Sequence, residues 1–146
     1  MNAKTILLFI LPVIPIAFLQ AQKEQRIQKV EFNTVTRGAH ETIWITADSI
    51  RTEKKNLSDE KKTESRRRLR YKEWADILNA LHDVSLRDIA SLKSPTLYRA
   101  SDGAYHSTLT ITTQDQQIFT HSFDNENPNQ KLQPLMQAIR KVAEPQ

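Results

Sequence analysis

The sequence predicts a single α+β domain, an antiparallel sheet of about five to six strands with two main helices on one face. Three observations carry this. Apolar residues alternate with polar ones around Val30 and Phe32, Ile43 and Ile45, and Leu109 and Ile111, the period of a half-buried strand. Trp74, Ile77, Leu78 and Leu81 instead follow i, i+3, i+4, i+7 spacing, and a second apolar stripe runs through Leu132, Leu135, Met136, Ile139 and Val142, the signature of amphipathic helices. The order is several strands, a helix, two strands, a helix. Short turns join the strands, so hairpins and segregated helices are expected rather than parallel crossovers.

The chain opens with Lys4, an uncharged apolar run over 6–19 that includes Pro12 and Pro15, and a small residue at Ala21. This is the layout of a secretory signal peptide. The run has 14 residues, fewer than the roughly 20 needed to span a bilayer as a helix, and prolines interrupt helix interiors. Cleavage is expected after Ala21, giving a signal peptide over 1–21 and one domain over 22–146. The expected location is exported, periplasmic or extracellular, with no transmembrane segment after cleavage.

The first strand centres on Val30 and Phe32. Arg37, Gly38, Ala39 and His40 read as a turn. A second strand over 41–47 puts Ile43 and Ile45 on one face and Trp44 and Thr46 on the other. Asp48 and Ser49 suit a tight turn, and 50–55 reads as a third strand. Residues 56–64 are polar and charged, an expected loop. A fourth strand over 65–71 would align Arg66, Arg68 and Arg70 on one face and Arg67, Leu69 and Tyr71 on the other; an early start to the following helix is the alternative. That helix is expected over 72–82. Val84, Leu86, Ile89 and Leu92 continue as a short turn or second helical piece, ended by Ser94-Pro95. After a connection over 95–103, strands are expected over 104–113 and 117–124. A polar loop over 124–129 leads to a last helix over 131–142, with Pro134 in its first turn, where a missing N–H costs little.

The composition narrows the chemistry. There is no cysteine, so neither a disulfide scaffold nor a lipidated N-terminal cysteine is expected. The two glycines, Gly38 and Gly103, are too few for a phosphate-cradling or dinucleotide loop. The net charge is +4, yet 51–72 alone holds ten basic and four acidic residues. Basicity is therefore local. In an exported protein it points to an anionic envelope component or an acidic protein as partner, with nucleic acid set aside.

Candidate catalytic and metal constellations are thin. His40, His82, His106 and His121 show no helical i, i+4 pair, as a zinc site on a helix would need. His106 and His121 fall on neighbouring strands; if the hairpin register puts Leu109, Ile111, Phe119 and Phe123 together on the core, His121 lies on that face and His106 on the opposite one. Ser107 and Ser122 adjoin these histidines in sequence, and adjacent strand residues point to opposite faces, so neither pair makes a nucleophile and its base. Asp48, Asp88, Asp102 and Asp124 stand where turns or caps use carboxylates anyway. The run Asp124-Asn125-Glu126-Asn127 is oxygen-rich but lacks the alternation and glycine of an EF-hand loop. Thr108, Thr110 and Thr112 form a polar row on one strand face. No catalytic residue, metal ligand or cofactor is nominated. The candidate binding surface is the basic set Lys54, Lys55, Arg66, Arg68 and Arg70, with Lys61 and Lys62 beside it, read either as a docking surface or as a charged, aggregation-resistant edge hairpin.

Trp74-Ala75-Asp76-Ile77-Leu78, the stretch 101–111, Ser122-Phe123-Asp124, and Pro128 leading into Leu132-Gln133-Pro134-Leu135 resemble small secreted proteins of Bacteroidota, over about residues 30–142. More remotely the arrangement is similar to emfourin-type inhibitors of thermolysin-like metalloproteases, which also place an aspartate before a strand hairpin and a proline-led final helix. That likeness implies protease inhibition as an alternative to binding, with a small periplasmic hydrolase as a second alternative. No inhibitory residue carries over, and the basic segment 54–70 departs from the pattern. Asp48-Ser49-Ile50 resembles the Asp-Ser/Thr-apolar site of O-glycosylation in the same bacteria, making Ser49 a candidate for modification.

Overall fold

A computed structural model describes residues 26–56, 58, 61–101 and 104–144; the expected signal peptide lies outside them. Six strands form one sheet in the order β4-β3-β2-β1-β5-β6: β1 (Ile27–Val35), β2 (Ala39–Thr46), β3 (Ser49–Asn56), β4 (Lys62–Arg68), β5 (His106–Thr113) and β6 (Ile118–Asp124). Every neighbouring pair is antiparallel. The first four strands meander outward from β1, and the β5–β6 hairpin returns to pair with the other side of β1. Helices α1 (Tyr71–Asn79) and α2 (Gln133–Ala143) bury Ile77, Leu135, Met136, Ile139 and Val142 in one cluster with Val30, Phe32, Ile43, Ile45, Leu109, Ile111 and Phe123.

Alternation decides which face the helices cover. Val30 pairs with Ile45 and Ile111, and Phe32 with Ile43 and Leu109, so the apolar positions of three central strands stack across the sheet. All six are at most 1 % exposed. Each large side chain buried in this way is worth about 1.5–3 kcal/mol. The opposite face carries Lys29, Glu31, Asn33, Trp44 and the threonine row, all part-exposed.

Several boundaries differ from expectation, among them the start of the second strand at Ala39, within the expected turn. The first strand begins at Ile27, ahead of the alternation around Val30 and Phe32. The fourth begins at Lys62, within the expected loop: Lys62, Thr63 and Glu64 have no apolar alternation, and they are held by pairing with Lys55, Lys54 and Glu53 of β3. That strand also ends early, at Arg68. Leu69 turns into the core, Arg70 becomes the cap of α1, and the Arg70 N–H donates to Glu73 Oε2 (2.8 Å). A glutamate at this position satisfies a helix-start amide and starts the helix before an alternating strand could reach Tyr71, which is 88 % exposed. Finally, α1 stops at Asn79 rather than His82. The chain tightens there with bonds from Leu81 N–H to the Leu78 carbonyl and from His82 N–H to the Asn79 carbonyl, the three-residue pattern of a closing helix.

Candidate binding surface

The β3–β4 hairpin carries the basic segment, and its register divides that segment between two faces. Ile50 pairs with Arg67, Thr52 with Ser65 and Lys54 with Thr63 on the helix side. Arg51 pairs with Arg66, Glu53 with Glu64, Lys55 with Lys62 and Ser49 with Arg68 on the open face. Of the five residues expected to form one surface, Arg66, Arg68 and Lys55 share the open face. Lys54 and Arg70 do not. Lys54 faces the helix side, and its Nζ lies 3.2 Å from Glu41. Arg70 lies beyond the strand end, with Nη2 3.0 Å from Glu73. Alternation misplaced Arg70 because β4 has already ended there, whereas Lys54 was grouped with Lys55 by charge although neighbouring strand positions alternate faces.

On the open face Glu53 and Glu64 are directly opposed, a repulsive arrangement unless countered. Arg51 reaches both, at 3.2 Å and 2.8 Å, and Lys62 reaches both, at 3.0 Å and 3.8 Å. The hydrogen bond from Arg51 holds the Glu64 carboxyl below its ordinary pKa. Arg51 also lies over the Trp44 ring, 4.8 Å from its centroid, within cation–π range. The remaining positive charge lies apart from this network. Among the described residues, Arg66, Arg68 and Lys55 make no ion pair or side-chain hydrogen bond. Ser49, the candidate for modification, opens β3 opposite Arg68 and is half-buried, its hydroxyl 3.2 Å from that of Thr46.

Behind the same hairpin, Arg67 is fully engaged. Its guanidinium donates to both Glu73 carboxylate oxygens (3.0 and 2.9 Å) and to the Val142 carbonyl at the end of α2 (2.6 Å). Glu73 is 7 % exposed. The hydrogen bond from Arg67 outweighs the opposing effect of burial and, with those from Arg70, lowers its pKa to about 2. The Arg67 guanidinium therefore ties β4 to both helices.

A second buried anion sits at the far edge. Asp124, at the end of β6, accepts from Thr96 Oγ1, Tyr98 N–H (2.7 Å) and the Arg99 guanidinium (2.7 Å). Burial alone would raise its pKa; the hydrogen bonds from Thr96, Arg99 and Tyr98 outweigh it and bring the value to about 2. These oxygens strap the 94–101 connection to the sheet. In the loop that follows, Asn125 Oδ1 accepts from Tyr105 N–H (3.0 Å), so the oxygen-rich run serves chain packing.

The two strand histidines sit as alternation predicts. His121 pairs with Leu109 on the core face and is 2 % exposed, whereas His106 pairs with Asp124 and is exposed. They project from opposite faces and share no ligand position. His121 Nε2 accepts from Asn129 N–H (3.2 Å), and its ring stacks on Phe123 at 5.4 Å. Burial lowers its pKa, and the Arg99 charge adds to this; a hydrogen bond with the Leu92 backbone acts the other way.

A groove of about 490 Å³ opens where the β1–β2 and β3–β4 turns meet, lined among others by Thr34, Lys54, Lys55, Lys61, Thr63 and Tyr105. None of His82, His106, His121 or Asp124 lines it, and Asp102 lies outside the described residues. Among the described residues no cluster of three or more His, Asp or Glu side chains could hold a metal ion, and no helix is long and apolar enough to cross a membrane. No protein-family model, curated protein or solved structure matches the chain.

Proposed function

We propose that this is an exported, non-catalytic binding protein that docks an anionic partner in the cell envelope through the arginine end of the β3–β4 hairpin. The observation that carries the reading is the state of Arg66 and Arg68. Both lie on the uncovered face of an edge strand, and both lack a counter-charge among the described residues, while every nearby carboxylate on that face is occupied by Arg51 or Lys62. A guanidinium presents a planar fork suited to bidentate bonds with carboxylate, phosphate or sulfate. Two forks on one strand face, with the Trp44–Arg51 pair beside them, make a positive surface suited to an anion.

The test compares retention of the wild type and R66E/R68E on envelope extract at low and high salt. The wild type should bind in about 50 mM salt and release in about 500 mM, because screening shortens the reach of exposed charges. The double reversal should lose binding at both concentrations, and Lys54→Gln, altered on the other face, should retain it. An unchanged set of bound components for R66E/R68E would remove the reading.

A further inference from the structure

We infer that β4 is the docking edge for an extended acidic segment of another protein, which joins the sheet as an additional strand beyond β4. The inference rests on the docking reading above and names its partner class. Among the described residues β4 ends the sheet, with β3 as its one strand neighbour, so along its outer side its backbone groups have no strand partner there; at its end the Arg68 carbonyl accepts from the Arg67 guanidinium (3.0 Å). It pairs with β3 in unbroken register from Lys62 to Arg68, and it contains no proline. Natural edge strands are usually blunted by shortness, bulges, proline, a covering element or charge; here charge is the device in use. The other edge is built differently. β6 is tied at one end by the Asp124 strap and by a bridge from Asp124 to Asn127, and the turn over Leu86–Ser91 packs against it.

The charge selects the occupant. Lys62, Glu64, Arg66 and Arg68 face the open side of β4, and Arg51 and Lys62 already answer Glu64. A second copy would bring the same excess of cations to the new seam, where like charges on opposed strands repel. An acidic strand is complementary. Arg66 and Arg68 are two residues apart on one face, and an incoming strand with carboxylates at every second residue repeats with the same period. Added strands gain affinity from main-chain hydrogen bonds and specificity from alternate side chains.

The probe is a synthetic peptide of about nine residues alternating glutamate and threonine, a common strand length. Two N-methylated forms accompany it, one methylated at the glutamate amides and one at the threonine amides. A strand paired on one side uses only alternate N–H groups. One methylated form should therefore lose affinity by roughly tenfold or more, while the other stays within about threefold of the parent. Binding should also slow amide exchange along β4. R66Q/R68Q should weaken the parent peptide without changing which methylated form fails. Equal binding by both methylated forms overturns strand addition, and so does failure of the wild type to bind the parent peptide. In either case the docking reading survives if R66E/R68E still loses its envelope partner. A concentration-dependent dimer that protects β4 without peptide overturns the inference in favour of a second copy.

Discussion

Arg66, Arg67 and Arg68 are chemically identical neighbours with opposite situations. Arg67 is folded into the molecule, its guanidinium shared between Glu73 and the last turn of α2, whereas Arg66 and Arg68 stand on the open face without a partner among the described residues. The difference is one residue of register. A strand alternates its side chains, so a triple arginine at an edge becomes one internal tie and two surface charges. Composition alone would treat the three as one basic cluster.

The largest test of that contrast is Arg67→Ala. It removes two hydrogen bonds from the buried Glu73 carboxylate and frees the Val142 carbonyl, so a loss of about 2–4 kcal/mol is expected in urea unfolding. Arg66→Ala and Arg68→Ala should each stay within about 0.5 kcal/mol by the same measurement. Equal losses at all three positions would mean that the register does not separate them.

Acid unfolding probes the two buried anions. Glu73 and Asp124 both have depressed pKa values, each about 2. Below their ordinary values of 4.5 and 3.8 the unfolded chain takes up protons before the folded one. Their contribution is complete above those values and is lost as pH falls toward about 2. Glu73→Gln should be less stable at neutral pH and should show a shallower decline of stability over that window.

His121 gives a smaller effect nearer neutrality. Its pKa is lowered from 6.5 in the folded protein, so protonation favours the unfolded chain. Its contribution is present above pH 6.5 and fades as pH falls below it. His121→Phe should flatten the stability profile just below pH 6.5. The smallest effect expected is that of salt on R66Q/R68Q, whose stability should respond to added salt almost as the wild type's does, since exposed charges contribute little.

Most of the sheet was legible. Val30, Phe32, Ile43, Ile45, Leu109 and Ile111 alternate cleanly because one face of each strand is buried, and the opposite placement of His106 and His121 followed from the same rule. The helical stripes through Ile77 and Ile139 were equally plain. The first half of β4 was not: Lys62, Thr63 and Glu64 bury nothing, so no hydrophobic period marks them, and their conformation comes from backbone pairing with β3. The Asp124 strap was also hidden, because its donors lie in the 94–101 connection, a segment without periodicity. Arg67 left one local trace, a glutamate six positions later at the start of a helix, which could have suggested the tie to Glu73.

The sequence by itself determined the α+β class, the core-facing side of the central strands and the concentration of positive charge in one segment. These depend on apolar periodicity and composition, both local properties of the chain. The tertiary structure decided where that charge goes: Lys54 to Glu41, Arg67 and Arg70 to Glu73, and Arg66 and Arg68 to the open edge. The physical reason is that strand register and the cap of α1 bring together groups far apart in sequence, and a buried carboxylate such as Glu73 takes the cations within its reach.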